Sequence, residues 1–331
     1  MPLMKFRSTA SLGPGLLLTA SLAQAKCQLV QLGELHVSVS GNRPVVAGQV
    51  NGQPVKVLID TGTSVSFVWE SAARRLGLPL ASVRSVKVFG VGGEATVQGT
   101  TVRELQVGSY SARDVSLAVL DRSRAVGPDD PAVVLGNDFF SQSAAEFDLA
   151  QGSIRLLRPS GCQTDDLAYW SHTYSLAELA RPRGDDPQIR LSVSINGRPV
   201  DAVLDTGART SVITQAAAQS AGVVPAPHGG AAPGSQGKLG GVGASSVPAW
   251  TGMLSSFAIG DETVRSAKVR VADLFRSDTV AETGSHIARQ PDGLPGMLLG
   301  CDFFLSHRLM ILPDERKVVF TYNGGPVFQA P

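Results

Sequence analysis

Apolar residues in this chain fall into short runs broken by Gly, Pro and Asn, a pattern that predicts strands and turns rather than long amphipathic helices. Residues 45–50 and 55–59 flank Asn51-Gly52, and Asn-Gly between apolar runs predicts a tight β-hairpin. The arrangement returns as 191–195, Asn196-Gly197 and 200–204. A short helical segment follows each hairpin, over 71–76 and 215–221. Next comes a glycine-rich stretch, Phe89-Gly90-Val91-Gly92-Gly93 in one half and Gly240-Gly241-Val242-Gly243 in the other. Each half then closes on a matching element, Val133-Val134-Leu135-Gly136-Asn137-Asp138-Phe139-Phe140 or Met297-Leu298-Leu299-Gly300-Cys301-Asp302-Phe303-Phe304. A short helix and a last strand, over 153–157 and 318–322, complete both halves.

An offset of about 145 residues is too long for a solenoid repeat and fits a duplicated domain. The expected organisation is a signal segment over 1–25, a first lobe over 26–157, a linker over 158–188 and a second lobe over 189–331. The linker is rich in Pro, Gly and Asp. Its two apolar stretches, 167–170 and 176–179, are predicted as short helical turns packed on the lobes, with the Tyr169 and Trp170 rings as packing anchors. The second half is longer, mainly in the polar loops 225–237 and 277–295, and loops of that length are mobile or functional.

Composition narrows the classes. Of 331 residues, 43% are apolar and 17% charged, which suits a packed globular protein rather than a disordered one. The formal charge is +1 with no basic cluster, so nucleic-acid binding has no support. The five histidines are scattered, with no zinc-type spacing, and no cofactor fingerprint is present. At the N-terminus, Lys5 and Arg7 precede an apolar stretch over 12–22 and then Ala23-Gln24-Ala25, the layout of a cleaved export signal. Export permits disulfides. Of three cysteines, Cys27 and Cys162 are expected to pair, tying the first strand to the linker. Cys301, inside an apolar run, is expected to be a buried free thiol.

The chemistry lies in two tripeptides, Asp60-Thr61-Gly62 and Asp205-Thr206-Gly207, each at the end of an apolar run. Chance supplies roughly 0.1–0.2 such triplets in a chain of this length. Each copy here follows its own Asn-Gly by 9 residues. Ser64-Val65 follows the first copy, and Ser211-Val212 follows the second at a slightly longer spacing. This order of Asp-Thr-Gly, glycine-rich stretch and apolar-apolar-Gly resembles the retroviral-type and pepsin-type aspartic proteases across essentially the whole mature chain. The Leu-Gly-x-Asp-Phe-Phe ending looks most like the retropepsin-like proteins of bacteria, which implies a periplasmic or secreted enzyme. The resemblance implies an all-β fold of two homologous lobes, an internal pseudo-dimer with a cleft between them.

The resemblance also assigns roles. Asp60 and Asp205 would form one catalytic pair. Two carboxylates about 3 Å apart repel by roughly 5 kcal/mol at an effective dielectric near 20, so one stays protonated while the other ionises and activates a water. Gly62 and Gly207 would allow the tight turn and offer N–H groups to the carboxylates. Thr61 and Thr206 would hydrogen-bond across the pair. The Thr63 hydroxyl would donate to Asp60, where Ala208 has none to offer Asp205, so Asp60 is expected to carry more of the negative charge. Phe89, Gly90, Val91, Gly92 and Gly93, with Gly240, Gly241 and Val242, would form two flaps over the substrate, an arrangement closer to retroviral enzymes than to the single Tyr-bearing flap of pepsins. Asp138 and Asp302 are expected to cap helix N-termini and to take no part in catalysis.

The reading is an exported aspartic endopeptidase acting on polypeptide, without cofactor or metal, folded as a monomer from two lobes. Its alternatives are a non-catalytic binder of peptide or cell-wall fragments that retains the fold, and an oligomer in which the repeats of different chains pair.

Overall fold

Asn51 and Gly52 both have positive φ (50° and 81°), as do Asn196 and Gly197 (50° and 78°). A two-residue hairpin turn of the primed type needs that backbone. The turns join Pro44–Val50 to Gln53–Ile59 and Arg190–Ile195 to Arg198–Leu204, as the apolar pattern predicts. Each Asn also tethers its turn to a neighbouring strand. Asn51 Oδ1 accepts from the Glu104 N–H (3.0 Å), and Asn196 Oδ1 accepts from the Ser256 N–H (3.1 Å). The computed structural model describes residues 26–90, 93–121, 126–182, 187–226, 238–240, 246–275 and 293–328. The expected signal segment and most of the two long second-half loops lie outside these residues.

Each half rolls into a closed barrel of six strands. In the first, Pro44–Val50, Gln53–Ile59, Val133–Leu135, Phe67–Trp69, Tyr110–Leu120 and Gly93–Val107 pair in that order, and the last returns to the first. In the second, Arg190–Ile195, Arg198–Leu204, Met297–Leu299, Val212–Thr214, Glu262–Ala272 and Ser246–Ile259 do the same. Barrel closure leaves no edge exposed. The three-residue strands Val133–Leu135 and Met297–Leu299 are buried throughout, which explains why both read as unbroken apolar runs.

The halves meet in a six-stranded antiparallel sheet ordered Ser175–Glu178, Lys317–Tyr322, His307–Leu312, Ala144–Asp148, Ser153–Ser160 and Gln28–Val39. At its centre Glu146 faces Met310 across the two halves. A chain of rings crosses here: Phe140 to Phe147 (5.7 Å), Phe147 to Phe304 (5.3 Å) and Phe304 to Phe303 (6.5 Å). The Phe-Phe pair of each closing element thus lines one continuous core.

The linker packs on this sheet. Its first helical turn is Thr164–Leu167, three residues earlier than predicted, with a capping box between Gln163 and Asp166. The second predicted turn, over 176–179, is instead the outer strand Ser175–Glu178, because its apolar residues pair with Lys317–Tyr322 at an otherwise open edge. Trp170 is a packing anchor, as expected, whereas the Tyr169 ring is half exposed and held through its hydroxyl. Trp170 Nε1 donates to Thr321 Oγ1 (2.9 Å), and the Arg308 guanidinium lies 4.6 Å from the Trp170 ring centre. Tyr169 donates to the buried carboxylate of Glu146, which also accepts from Arg155 (2.8 Å) and Arg308 (2.7 Å). A buried charge so surrounded is satisfied rather than costly. Cys27 and Cys162 form the expected disulfide, and Cys301 is the expected buried thiol. Closing a loop of that length stabilises by about 3–5 kcal/mol in the chain-entropy model.

Candidate active site

Strand Gln53–Ile59 runs parallel to Val133–Leu135, while Phe67–Trp69 runs antiparallel to it. The chain between them must therefore turn sharply, and that turn is the first Asp-Thr-Gly loop. The second loop forms in the same way between Arg198–Leu204 and Val212–Thr214. The N–H of each Asp is held by the closing element: Asp60 donates to Leu135 O (2.9 Å) and Asp205 to Leu299 O (2.8 Å).

The two loops interlock. Thr61 Oγ1 donates to Leu204 O (2.7 Å) and accepts from the Thr206 N–H (3.0 Å). Thr206 Oγ1 donates to Ile59 O (2.9 Å) and accepts from the Thr61 N–H (3.1 Å). Both threonines are fully buried, and each hydroxyl satisfies two backbone groups of the other lobe that would otherwise be unpaired. The grip sets each carboxyl against the opposite glycine. A methyl at Gly62 would lie 2.2 Å from Asp205 Cγ, and one at Gly207 would lie 2.2 Å from Asp60 Cγ. Only glycine fits there.

Asp60 and Asp205 hydrogen-bond each other through their side chains. Asp60 accepts from the Gly62 N–H (3.0 Å), and Asp205 from the N–H groups of Gly207 (2.9 Å) and Ala208 (3.0 Å). Burial, and then the negative charge of Asp60, push the Asp205 carboxyl well above its ordinary value of 3.8. Burial also raises Asp60, but the hydrogen bond from Asp205, the N–H groups of Gly62 and Thr63 and the positive charge of Arg43 oppose it. Both carboxyls are raised, and the cause expected for a difference between them is absent. The Thr63 hydroxyl reaches Val65 O (3.4 Å), and the Thr63 contribution to Asp60 comes through the backbone, as that of Ala208 does for Asp205.

Asp138 and Asp302 do not cap their helices as expected. The N-cap positions are Gly136 and Gly300, with no side-chain cap. The aspartates instead brace the Asp-Thr-Gly loops from below. Asp138 accepts from Ser66 N–H (2.9 Å) and Oγ (2.6 Å), and Asp302 from Ser211 N–H (2.8 Å) and Oγ (2.7 Å). Each serine hydroxyl in turn accepts from the closing glycine, Gly136 (3.0 Å) or Gly300 (2.9 Å). The counterpart of Ser211 is thus Ser66, six residues after its Asp in both lobes, and not Ser64. Aligning the repeats on their Asp residues would have found it. Asn137 donates to the Thr61 carbonyl. Its counterpart is Cys301, whose thiol is pushed up to about 12 by burial, then by Asp302 and Asp205, and is inert.

The first glycine-rich stretch is the tip of a hairpin, with Phe89 paired to Glu94 and Gly90 to Gly93. In the second half Gly240 ends the strand Lys238–Gly240, which pairs with Ser246–Ile259. Val91, Gly92, Gly241 and Val242 lie outside the described residues. Among the described residues no three His, Cys, Asp or Glu side chains gather to hold a metal, and no helix is long and apolar enough to cross a membrane.

Two barrels that pool one Asp-Thr-Gly loop each, over a shared interlobe sheet, define the aspartic-protease class. The chain matches the family described as Aspartyl protease over residues 46–139 and 191–303, one segment in each half, and it belongs to that family. A search of the curated proteins returned no match.

Proposed function

We propose that this chain is an exported aspartic endopeptidase in which Asp60 and Asp205 act as one catalytic pair on a polypeptide bound between the lobes. The observation that carries the reading is the contact of both carboxyls across the Thr61–Thr206 grip. The pair titrates as a unit and shares one proton. We assign that proton mainly to Asp205 and the charge mainly to Asp60, in line with the opposing influences on each. The ionised carboxylate takes a proton from a water held between the two. The protonated carboxyl donates to the scissile carbonyl oxygen as the water oxygen attacks its carbon. The two glycine-rich stretches serve as flaps that close over the peptide. One chain supplies the whole pair, so a monomer suffices, and sedimentation mass measures that. The Cys27–Cys162 disulfide and the N-terminal Lys/Arg, apolar and Ala-x-Ala layout support export.

Hydrolysis of an unstructured protein from acidic to neutral pH tests the reading. We expect cleavage that a statine-type peptide inhibits and that falls about 10²–10⁴-fold in Asp60→Asn, the usual weight of a general acid–base group. Absence of cleavage throughout that pH range would sink it.

A further inference from the structure

The two ends of the interlocked Asp-Thr-Gly loops carry different charge. Asp60 and Asp205 are 145 residues apart, and the same offset pairs Arg43 with Gln188 and Ser64 with Arg209. The fold crosses these pairs. The first-lobe turn that holds Arg43 lies against the second catalytic loop: a methyl at Gly41 would sit 3.0 Å from Arg209 Nη1. The second-lobe residue Gln188 lies against the first catalytic loop, with its Nε2 donating to Gly62 O (3.0 Å). One end of the paired loops therefore combines the turn of Arg43 with Arg209, one from each lobe. The other combines Gln188 and Ser64.

The cationic end faces the reaction centre. Arg43 is half-buried and close enough for its charge to act on both Asp60 and Cys301. Arg209 is exposed, four residues beyond Asp205, and among the described residues no acidic side chain pairs with it. At the Gln188 end the nearby guanidinium, Arg190, is spent within the protein. It donates to Asp201 (2.8 Å), to Gly293 O (2.9 Å) and to Gln188 Oε1 (2.8 Å). Two guanidiniums at one end of a cleft focus a positive potential there, and planar forks of this kind recognise carboxylates.

We propose that the Arg43–Arg209 end binds an acidic group of the substrate, an Asp or Glu side chain on one side of the scissile bond, and so sets the direction in which the peptide lies. This rests on the endopeptidase reading and adds the substrate class to it. A peptide series that differs only by Glu or Gln at successive positions on either side of the cleaved bond tests it. We expect Glu to raise kcat/KM about fivefold at a position on one side only, the upper range for a solvent-accessible ion pair. High salt should shrink that ratio. The Glu-to-Gln ratio should fall towards one in Arg209→Ser, stay above one in Arg209→Lys and drop below one in Arg209→Glu. Binding of the same peptides to Asp60→Asn provides a readout independent of turnover. No Glu preference in cleavage or binding, or a ratio unmoved in Arg209→Glu, overturns the inference while leaving a cleaving enzyme intact. Preferential binding of Glu peptides that the wild type never cleaves upholds the charged surface and overturns the endopeptidase reading.

Discussion

The Asp60 and Asp205 loops hold each other through matched pairs of hydrogen bonds, 2.7 and 2.9 Å from threonine hydroxyl to carbonyl and 3.1 and 3.0 Å from N–H to hydroxyl. Four residues after the Asp, the same loops carry Ser64 and Arg209. Three further pairs of equivalent positions also differ: Thr63 and Ala208, Asn137 and Cys301, Arg43 and Gln188. The contrast separates two kinds of constraint. At the grip, each threonine satisfies buried backbone groups of the opposite lobe, and an unpaired buried group costs about 1–3 kcal/mol. Those positions have one solution and keep it in both copies. Thr63 and Ala208 differ freely because the carboxyl beside them takes a backbone N–H, which every residue but proline supplies. At the solvent-facing positions, Ser64 against Arg209 and Arg43 against Gln188, the two copies have diverged, and the fully buried pair Asn137 and Cys301 shows that burial alone does not fix a position.

Matched substitutions in the two lobes probe this contrast. Thr61→Val and Thr206→Val each remove a hydroxyl that serves one buried N–H and one buried carbonyl. Each should lower unfolding free energy by about 2–4 kcal/mol, with nearly equal losses. Urea denaturation of both variants measures it, and a large inequality would mean that the grip is not symmetric. Gly62→Ala and Gly207→Ala place a methyl inside the opposite carboxyl. Both should abolish cleavage and destabilise by about 1–3 kcal/mol. A Gly→Ala variant that keeps its activity would contradict the contact on which the catalytic assignment rests.

The braces below the loops should be unequal. Asp302 is fully buried and also accepts from the Phe303 N–H (2.9 Å), whereas Asp138 is partly exposed. Asp302→Ala should therefore cost more than Asp138→Ala, by about 1 kcal/mol, in the same denaturation experiment. The smallest difference concerns pH. The Asp60 and Asp205 carboxyls both have native values raised above 3.8, that of Asp205 well above it. Above 3.8 the native state holds protons that the unfolded chain has released, so wild-type stability falls as pH rises through this window. Below 3.8 both states are protonated and the effect vanishes. Asp205→Asn should thus be more stable than wild type at neutral pH, by more than Asp60→Asn is, and both gains should disappear in acid. Urea midpoints across that pH range read it out. A gain that persisted in acid would point to relieved packing rather than to titration.

Much of this molecule was legible in its residues because the relevant physics is local. Asn-Gly prefers positive φ, so both hairpins were readable. Short apolar runs bounded by turn residues gave away the buried strands, and the helices Glu70–Arg75 and Gln215–Ser220 lie within about a residue of expectation. The duplication brought Asp60 to Asp205, and the cysteine count left few pairings to choose from. What only the tertiary structure decided depends on groups far apart in the chain. Residues 176–179 are apolar enough for a helical turn, but an open sheet edge recruits them as a strand. Asp138 and Asp302 sit where caps belong, but buried serines on another segment are the stronger partners. The approach of the Gly41 turn to Arg209 has no trace in local sequence, because it arises only when the crossed lobes set the turn of one against the Asp-Thr-Gly loop of the other. Sequence encodes what a residue's neighbours along the chain can satisfy. The fold decides which distant backbone groups are buried together, and hence which side chains must answer for them.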